Sequence, residues 1–113
     1  MIGYRIMAYN PTTRRAVSGA DSRVTVPLKT GEVHNVRGLG MFLTPHRQHA
    51  IDYYAVHDLN AILEYEFNAD EITSGNLSDA EPEISVQCAR LVSVTILDED
   101  LEIVVQVSTG KEK

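Results

Sequence analysis

Hydrophobic residues recur at every second position through most of this chain, and at helical spacing in a single window. Ile2 to Tyr9 is rich in β-branched, aromatic and apolar residues and closes at Asn10-Pro11, a turn signal. Within it Arg5, Met7 and Tyr9 fall on one face of an extended strand, and Tyr4, Ile6 and Ala8 on the other. Arg23 to Leu28 alternates through Val24, Val26 and Leu28; Pro27, which cannot donate to a ladder, predicts an edge strand there. Val33 to Val36 is a weaker strand, and Met41-Phe42-Leu43 is a short apolar run that reads as a buried one. Ala61 to Phe67 is the clearest half-buried strand, with Ala61, Leu63, Tyr65 and Phe67 opposite Ile62, Glu64 and Glu66. Glu83 to Cys88, Leu91 to Leu97 and Leu101 to Val107 complete the set, the last two joined by a turn at Asp98-Glu99-Asp100. Pro11 to Ala20 and Asn68 to Ser78 are polar and read as connections.

The helical window lies over residues 45–57. Ala50, Tyr53, Tyr54 and His57 stand at i, i+3, i+4 and i+7. Thr44 occupies the position expected of an N-cap, and Pro45 that of the first helical residue, where its missing donor is not needed. Gly38 and Gly40 precede this junction, and a glycine-led strand running into a capped helix gathers free N–H groups at one place. The pattern predicts an α+β fold: a β-rich single domain over residues 1–108, with about seven short strands and one main helix. Residues 109–113 read as a flexible tail.

Composition narrows the class. A chain of 113 residues buries roughly two-thirds of its unfolded surface on folding. No apolar run approaches the length of a membrane span, and Met1 to Asn10 lacks the plan of a signal peptide, which predicts a cytoplasmic protein. Cys88 is the only cysteine, which excludes an internal disulfide, and its alternation with Ile84 and Val86 reads as core. His46, His49 and His57 share one side of the helix without a carboxylate or a fourth ligand in view, so no metal is expected. The net charge of −6 conceals an asymmetry: residues 1–57 carry +4 and residues 58–113 carry −10. That balance excludes a uniformly basic nucleic-acid surface, though Arg5, Arg14, Arg15, Arg23 and Arg37 leave room for a local basic patch.

Three features could carry chemistry. Arg5 lies on an apolar first strand, where its stem either covers the strand edge or its head offers a rigid fork to phosphate or carboxylate. Thr44 follows the glycines. Glu81-Pro82-Glu83 enters a strand, and an extended backbone turns both carboxylates to one side. Their repulsion raises at least one of the two pKa values unless a cation or a ligand hydroxyl relieves it. Walker, Rossmann, nucleophile-elbow and calcium-loop motifs do not occur.

In this order the motifs resemble those of the ADP-ribosyltransferase-like fold, in the class defined by an arginine on the first strand, a serine- or threonine-bearing strand, and Glu-x-Glu. Tyr4-Arg5 resembles the first motif. Gly38-Leu39-Gly40-Met41-Phe42-Leu43-Thr44, with Ala50 and Tyr53 downstream, resembles the second, and Glu81-Pro82-Glu83-Ile84-Ser85-Val86 the third. Two departures stand out: Leu43-Thr44-Pro45 replaces the usual Ser-Thr-Ser, and the helical lobe of many such enzymes is missing. The resemblance implies NAD as the bound molecule, held by Arg5 at the pyrophosphate and by Gly40, Phe42 and Tyr53. Thr44 would support the nicotinamide ribose, Glu83 the positive charge that forms as nicotinamide leaves, and Glu81 the acceptor, a host protein. The chain is also similar to small proteins of bacteriophages and prophages.

The acidic second half allows another expectation. Glu64, Glu66, Asp98, Glu99 and Asp100 could form a polyanion-like face that docks on the basic groove of a nucleic-acid-binding protein, as an anti-CRISPR-like inhibitor would.

Overall fold

The structure, a computed structural model, describes residues 1–19, 21–57, 59–75, 83–97 and 103–108; residues 53–57, 97 and 103–108 are described by their backbone alone. The elements in chain order are β1 (Ile2–Asn10), β2 (Arg15–Val17), β3 (Thr25–Pro27), β4 (Val33–His34) and α1 (Arg47–His57). They continue with β5 (Ala61–Glu66), a 3-10 turn (Ala69–Glu71), β6 (Ile72–Ser74), β7 (Ser85–Val86), β8 (Ala89–Leu97) and β9 (Ile103–Ser108). The β-rich α+β class holds, with nine strands among the described residues where about seven were expected. The additional strands β2 and β6 lie in stretches read as connections, and each is only three residues long.

Seven strands form one antiparallel sheet in the order β3-β2-β1-β5-β8-β4, with β9 also on β8. The alternating pattern decides which face is buried. Met7 on β1, Ala61, Leu63 and Tyr65 on β5, and Val94 and Ile96 on β8 share the inner face and are buried. Each of the larger apolar side chains among them, Met7, Leu63, Val94 and Ile96, contributes roughly 1.5–3 kcal/mol when withdrawn from water. Between Glu64 and Tyr65 the β5–β8 register shifts, so that Leu91, not Val92, meets Tyr65 and joins the core. The inner face is covered by Val36, Met41, Leu43, Ile84 and Val86, the last from a second, two-stranded sheet, β6-β7. On the outer face Tyr4, Ile6 and Ile62 pack against Ala50 and Ile51 of α1. As Pro27 foretold, β3 is a sheet edge.

The junction at Thr44 differs from the sequence reading. The helix begins at Arg47, so neither Pro45 nor His46 is helical. The residue before a proline is restricted to extended geometry, and Thr44 uses that geometry to pair with Tyr4. Its hydroxyl accepts the N–H of His46 at 3.3 Å, so part of the capping role survives one step outside the helix. Met41-Phe42-Leu43 is not a continuous buried strand either: Met41 and Leu43 are buried, whereas Phe42 is 45% exposed. Cys88 is half-buried, not core. Residues 109–113 lie outside the described residues, and among the described residues no helix is long and apolar enough to cross a membrane.

Candidate functional site

Leu43 and Thr44 together form a strut one residue wide. Leu43 exchanges both backbone hydrogen bonds with Ile84 (2.7 and 2.9 Å), and Thr44 exchanges both with Tyr4 (2.7 and 2.9 Å). Successive residues of an extended chain point their backbone groups to opposite sides. A single dipeptide thereby ties β1 to the segment that carries Glu83. Behind Glu83 lies Gly75, at φ +91°, a left-handed conformation that favours glycine. A Cβ at Gly75 would stand 2.1 Å from the Glu83 carbonyl oxygen, so the two backbones touch only because no side chain intervenes.

The strut borders a cleft of about 540 Å³ whose lining includes Tyr4, Arg5, Ile6, Gly40, Phe42, Thr44 and Glu83. Arg5, Thr44, Glu83, Gly40 and Phe42, distant in sequence, thus line one hollow. The guanidinium of Arg5 donates to the Phe42 carbonyl (3.4 Å) and to Ser18 Oγ (3.0 Å), while its buried Nε has no hydrogen-bond partner. Burial lowers the pKa of Arg5, and the nearby Tyr65 and Glu83 oppose that shift. An arginine stays protonated regardless, so a fixed cation faces an acidic side chain across the cleft. Burial, with Glu64 next, raises the Tyr4 hydroxyl above the usual phenol range, against the pull of Arg47. Thr44 Oγ1 lies 3.5 Å from His49 Nδ1. Gly40, at φ +68°, turns the chain so that the ring of Phe42 projects at the rim.

The cleft also exposes a piece of sheet edge. Because Tyr4 gives its N–H and C=O to Thr44, even-numbered residues of β1 direct their backbone groups to this edge and odd-numbered ones to β5. Tyr9 obeys the same parity, its N–H donating to Asn60 Oδ1. Ala8 is taken up by Val17 of β2. Ile6 falls between the two partners, and among the described residues no backbone group meets its N–H and C=O. Sequence reasoning missed Ile6 and Ser18. A backbone pair leaves no signature in residue type, and Ser18 lies in a stretch read as a polar loop.

Other expected site residues fall elsewhere. Tyr53 belongs to α1, but its side chain lies outside the described residues, as do Glu81, Asp98, Glu99 and Asp100. Glu64 is half-buried and accepts a hydrogen bond from Ser93 Oγ (3.1 Å). Glu66 is exposed and pairs in register with Arg90. Arg23 is taken by Asp21 at 3.0 Å, and Arg15 donates to Thr25; neither lines the cleft. His46 and His49 stand edge to face at 5.0 Å, yet among the described residues no three His, Cys, Asp or Glu side chains gather as a metal site. No family model, curated protein or solved structure matches the chain.

Proposed function

We propose that the cleft binds NAD and that the chain transfers ADP-ribose from it to an acceptor on another protein. The observation that carries this reading is the meeting of Arg5, Thr44 and Glu83 around one hollow. In this reading the Arg5 fork holds the pyrophosphate, a task that its rigid, permanently charged head suits. The N–H and C=O of Ile6, unmet by any backbone group among the described residues, match the C=O and N–H of a planar carboxamide such as that of nicotinamide. Thr44 supports the adjoining ribose, and Phe42 lends an aromatic face at the rim.

The chemistry needs little more than charge in the right place. The bond between ribose and nicotinamide breaks with its electron pair leaving on nicotinamide, and positive charge spreads between the ribose carbon and ring oxygen. Glu83 stabilises that charge only as it forms, so its effect falls on the rate and not on binding. The acceptor's lone pair then forms the new bond, and Glu81, two residues away in sequence, takes the acceptor's proton.

The test uses labelled NAD with the full chain and a bacterial lysate, together with calorimetric titration of NAD. Glu83→Gln is expected to lower transfer or hydrolysis by roughly 10²–10³-fold, the scale for losing one electrostatic stabiliser. It should leave the melting temperature and NAD affinity near those of the native chain, since Glu83 is exposed. Absence of NAD binding, hydrolysis and transfer in the native chain would remove the reading.

A further inference from the structure

We infer that two copies of this chain join along the outer edge of β9, antiparallel and about a two-fold axis at Val107, so that their sheets become one. The inference is independent of what the cleft binds, since β5 and β8 stand between β9 and the cleft strand β1. It starts from an edge that no strand among the described residues covers.

The ladders determine which groups that edge offers. The bridge between Thr44 and Tyr4 turns the backbone groups of Arg5 and Met7 toward β5, where they meet Leu63 and Ala61. Ile62 and Glu64 therefore face β8, opposite Thr95 and Ser93. Val94 and Ile96, of the other parity, face β9 and meet Val107 and Val105. Gln106 and Ser108 are left directing their N–H and C=O outward, and among the described residues no backbone group meets them.

The two edges of the sheet are unlike. β3 is short, and Pro27 removes a donor from it, a device that blunts an edge. In β9, Ile103-Val104-Val105-Gln106-Val107-Ser108 holds no proline, glycine or charge. Its one irregularity is a register slip at Val104, so the regular edge runs over residues 105–108. An edge of this composition is a template for another strand.

Charge and symmetry select that strand. The chain enters β9 from Asp98-Glu99-Asp100-Leu101-Glu102 and leaves it toward Lys111 and Lys113. Past Ser108 the flank of β8 is taken by the turn before β4, where Gly31 N–H donates to the Leu91 carbonyl (2.7 Å) and Leu91 N–H to that of Glu32 (2.9 Å). Exposed Lys29 belongs to this turn. Counting Glu32 and Glu112 as well, the lysine end carries +1 against −4 at the acidic end. A second β9 laid antiparallel brings unlike ends together, whereas a parallel one would set acid beside acid. The antiparallel register that uses both Gln106 and Ser108 within the regular stretch pairs Gln106 of one copy with Ser108 of the other. Val107 then stands opposite its own counterpart, on the axis.

The experiment is sedimentation equilibrium of the full-length native chain in about 0.15 M salt, where a Debye length of about 8 Å screens the overall charge of −6 but spares neighbours in contact. The expected result is a monomer–dimer equilibrium with a dissociation constant between about 1 μM and 1 mM. Gln106→Pro removes an outward N–H from each copy and no bond of the β8 ladder. It should therefore keep the fold and weaken dimerisation on the order of tenfold to a hundredfold. In a Cys88→Ser background, Val107→Cys should link two copies by a disulfide on mild oxidation, because such partners stand about 4.5 Å apart at Cα. Val105→Cys, displaced along the strand from its counterpart, should not. A native chain that stays monomeric throughout, a dimer indifferent to Gln106→Pro, or equal cross-linking by Val105→Cys and Val107→Cys overturns the inference. The first of these would leave the edge to a different partner. Should Gln106→Pro fail to fold, the contrast between the two cysteine variants decides alone.

Discussion

Gly75 offers a direct way to ask whether Glu83 is delivered to the cleft by the backbone contact described above. Replacing Gly75 with alanine imposes two separate costs. The first is conformational: at φ +91° an L-residue is strained by roughly 1–2 kcal/mol. The second is steric and falls on backbone, since the new Cβ would lie 2.1 Å from the Glu83 oxygen and 2.8 Å from Ile84 Cα. Backbone does not yield as a flexible side chain does, so residues 83–84 must shift and the pair of bonds between Leu43 and Ile84 must stretch. At about 0.5–1.5 kcal/mol for each bond, the second cost is about 1–3 kcal/mol. Less the roughly 0.4–1 kcal/mol that alanine recovers by lowering the entropy of the unfolded chain, the total is about 1–4.5 kcal/mol, a large part of the ~5–15 kcal/mol that holds an ordinary domain. Gly40→Ala is the control: its φ of +68° carries the strain alone, because a Cβ there meets nothing within 4 Å. Part of that strain is offset by the smaller entropy of the unfolded alanine chain, leaving about 1 kcal/mol or less. Urea unfolding of the three chains, analysed with a shared slope, measures the difference. If Gly75→Ala costs no more than Gly40→Ala, the contact between residues 75 and 83 is not a real constraint, and the account of how Glu83 reaches the cleft fails.

Four further outcomes are expected. The Ile6 amide should exchange with solvent far faster than those of Arg5 and Met7, because the latter face β5 and Ile6 faces an open edge; equal protection would refute the parity argument. Leu63→Ala, at a fully buried position, should cost about 2–5 kcal/mol in denaturant unfolding, and a loss under 1 kcal/mol would mean the inner face is loosely packed. Burial lowers the His34 pKa, so the unfolded chain binds that proton more readily than the folded one. Stability should therefore be full above the ordinary histidine value near 6.5 and fall as pH drops through it, by at most about 1.4 kcal/mol per pH unit, until the lower folded value is passed; H34Q should flatten this limb. Arg5→Lys keeps the charge but loses the fork, and calorimetry should show NAD affinity falling on the order of tenfold; an unchanged affinity would show that the planar head is not used.

The long strands were legible because they are long. Ile2–Asn10, Ala61–Glu66 and Ala89–Leu97 each present several alternations, enough for a period of two to show. Arg15–Val17 and Ile72–Ser74 offer one alternation each, which no pattern distinguishes from a loop. At Thr44 two local signals competed. The Thr-Pro pair suggested a cap and a first helical turn, but the extended geometry that proline imposes on its predecessor was spent on a bridge to β1 instead. The cleft was legible where it is made of side chains with unusual chemistry for their setting: an arginine in an apolar strand, a carboxylate entering another. It was illegible where it is made of Ile6 backbone atoms. The His34–Tyr65 hydrogen bond was equally hidden, since its partners stand 31 residues apart and only the folded register brings them together.

The Leu43–Thr44 strut has a consequence for how such a chain can change over generations. Its two residues face opposite partners, so inserting or deleting one residue between Phe42 and Pro45 would hand the bonds of one side to the other and part Tyr4 from Ile84. Turns such as Asn10–Arg14 can lengthen without disturbing either wall of the cleft, because their bonds close within themselves. Descendants of this sequence should therefore vary freely in length at those turns, while the spacing from Leu43 to Thr44 stays fixed even where the residues themselves are exchanged.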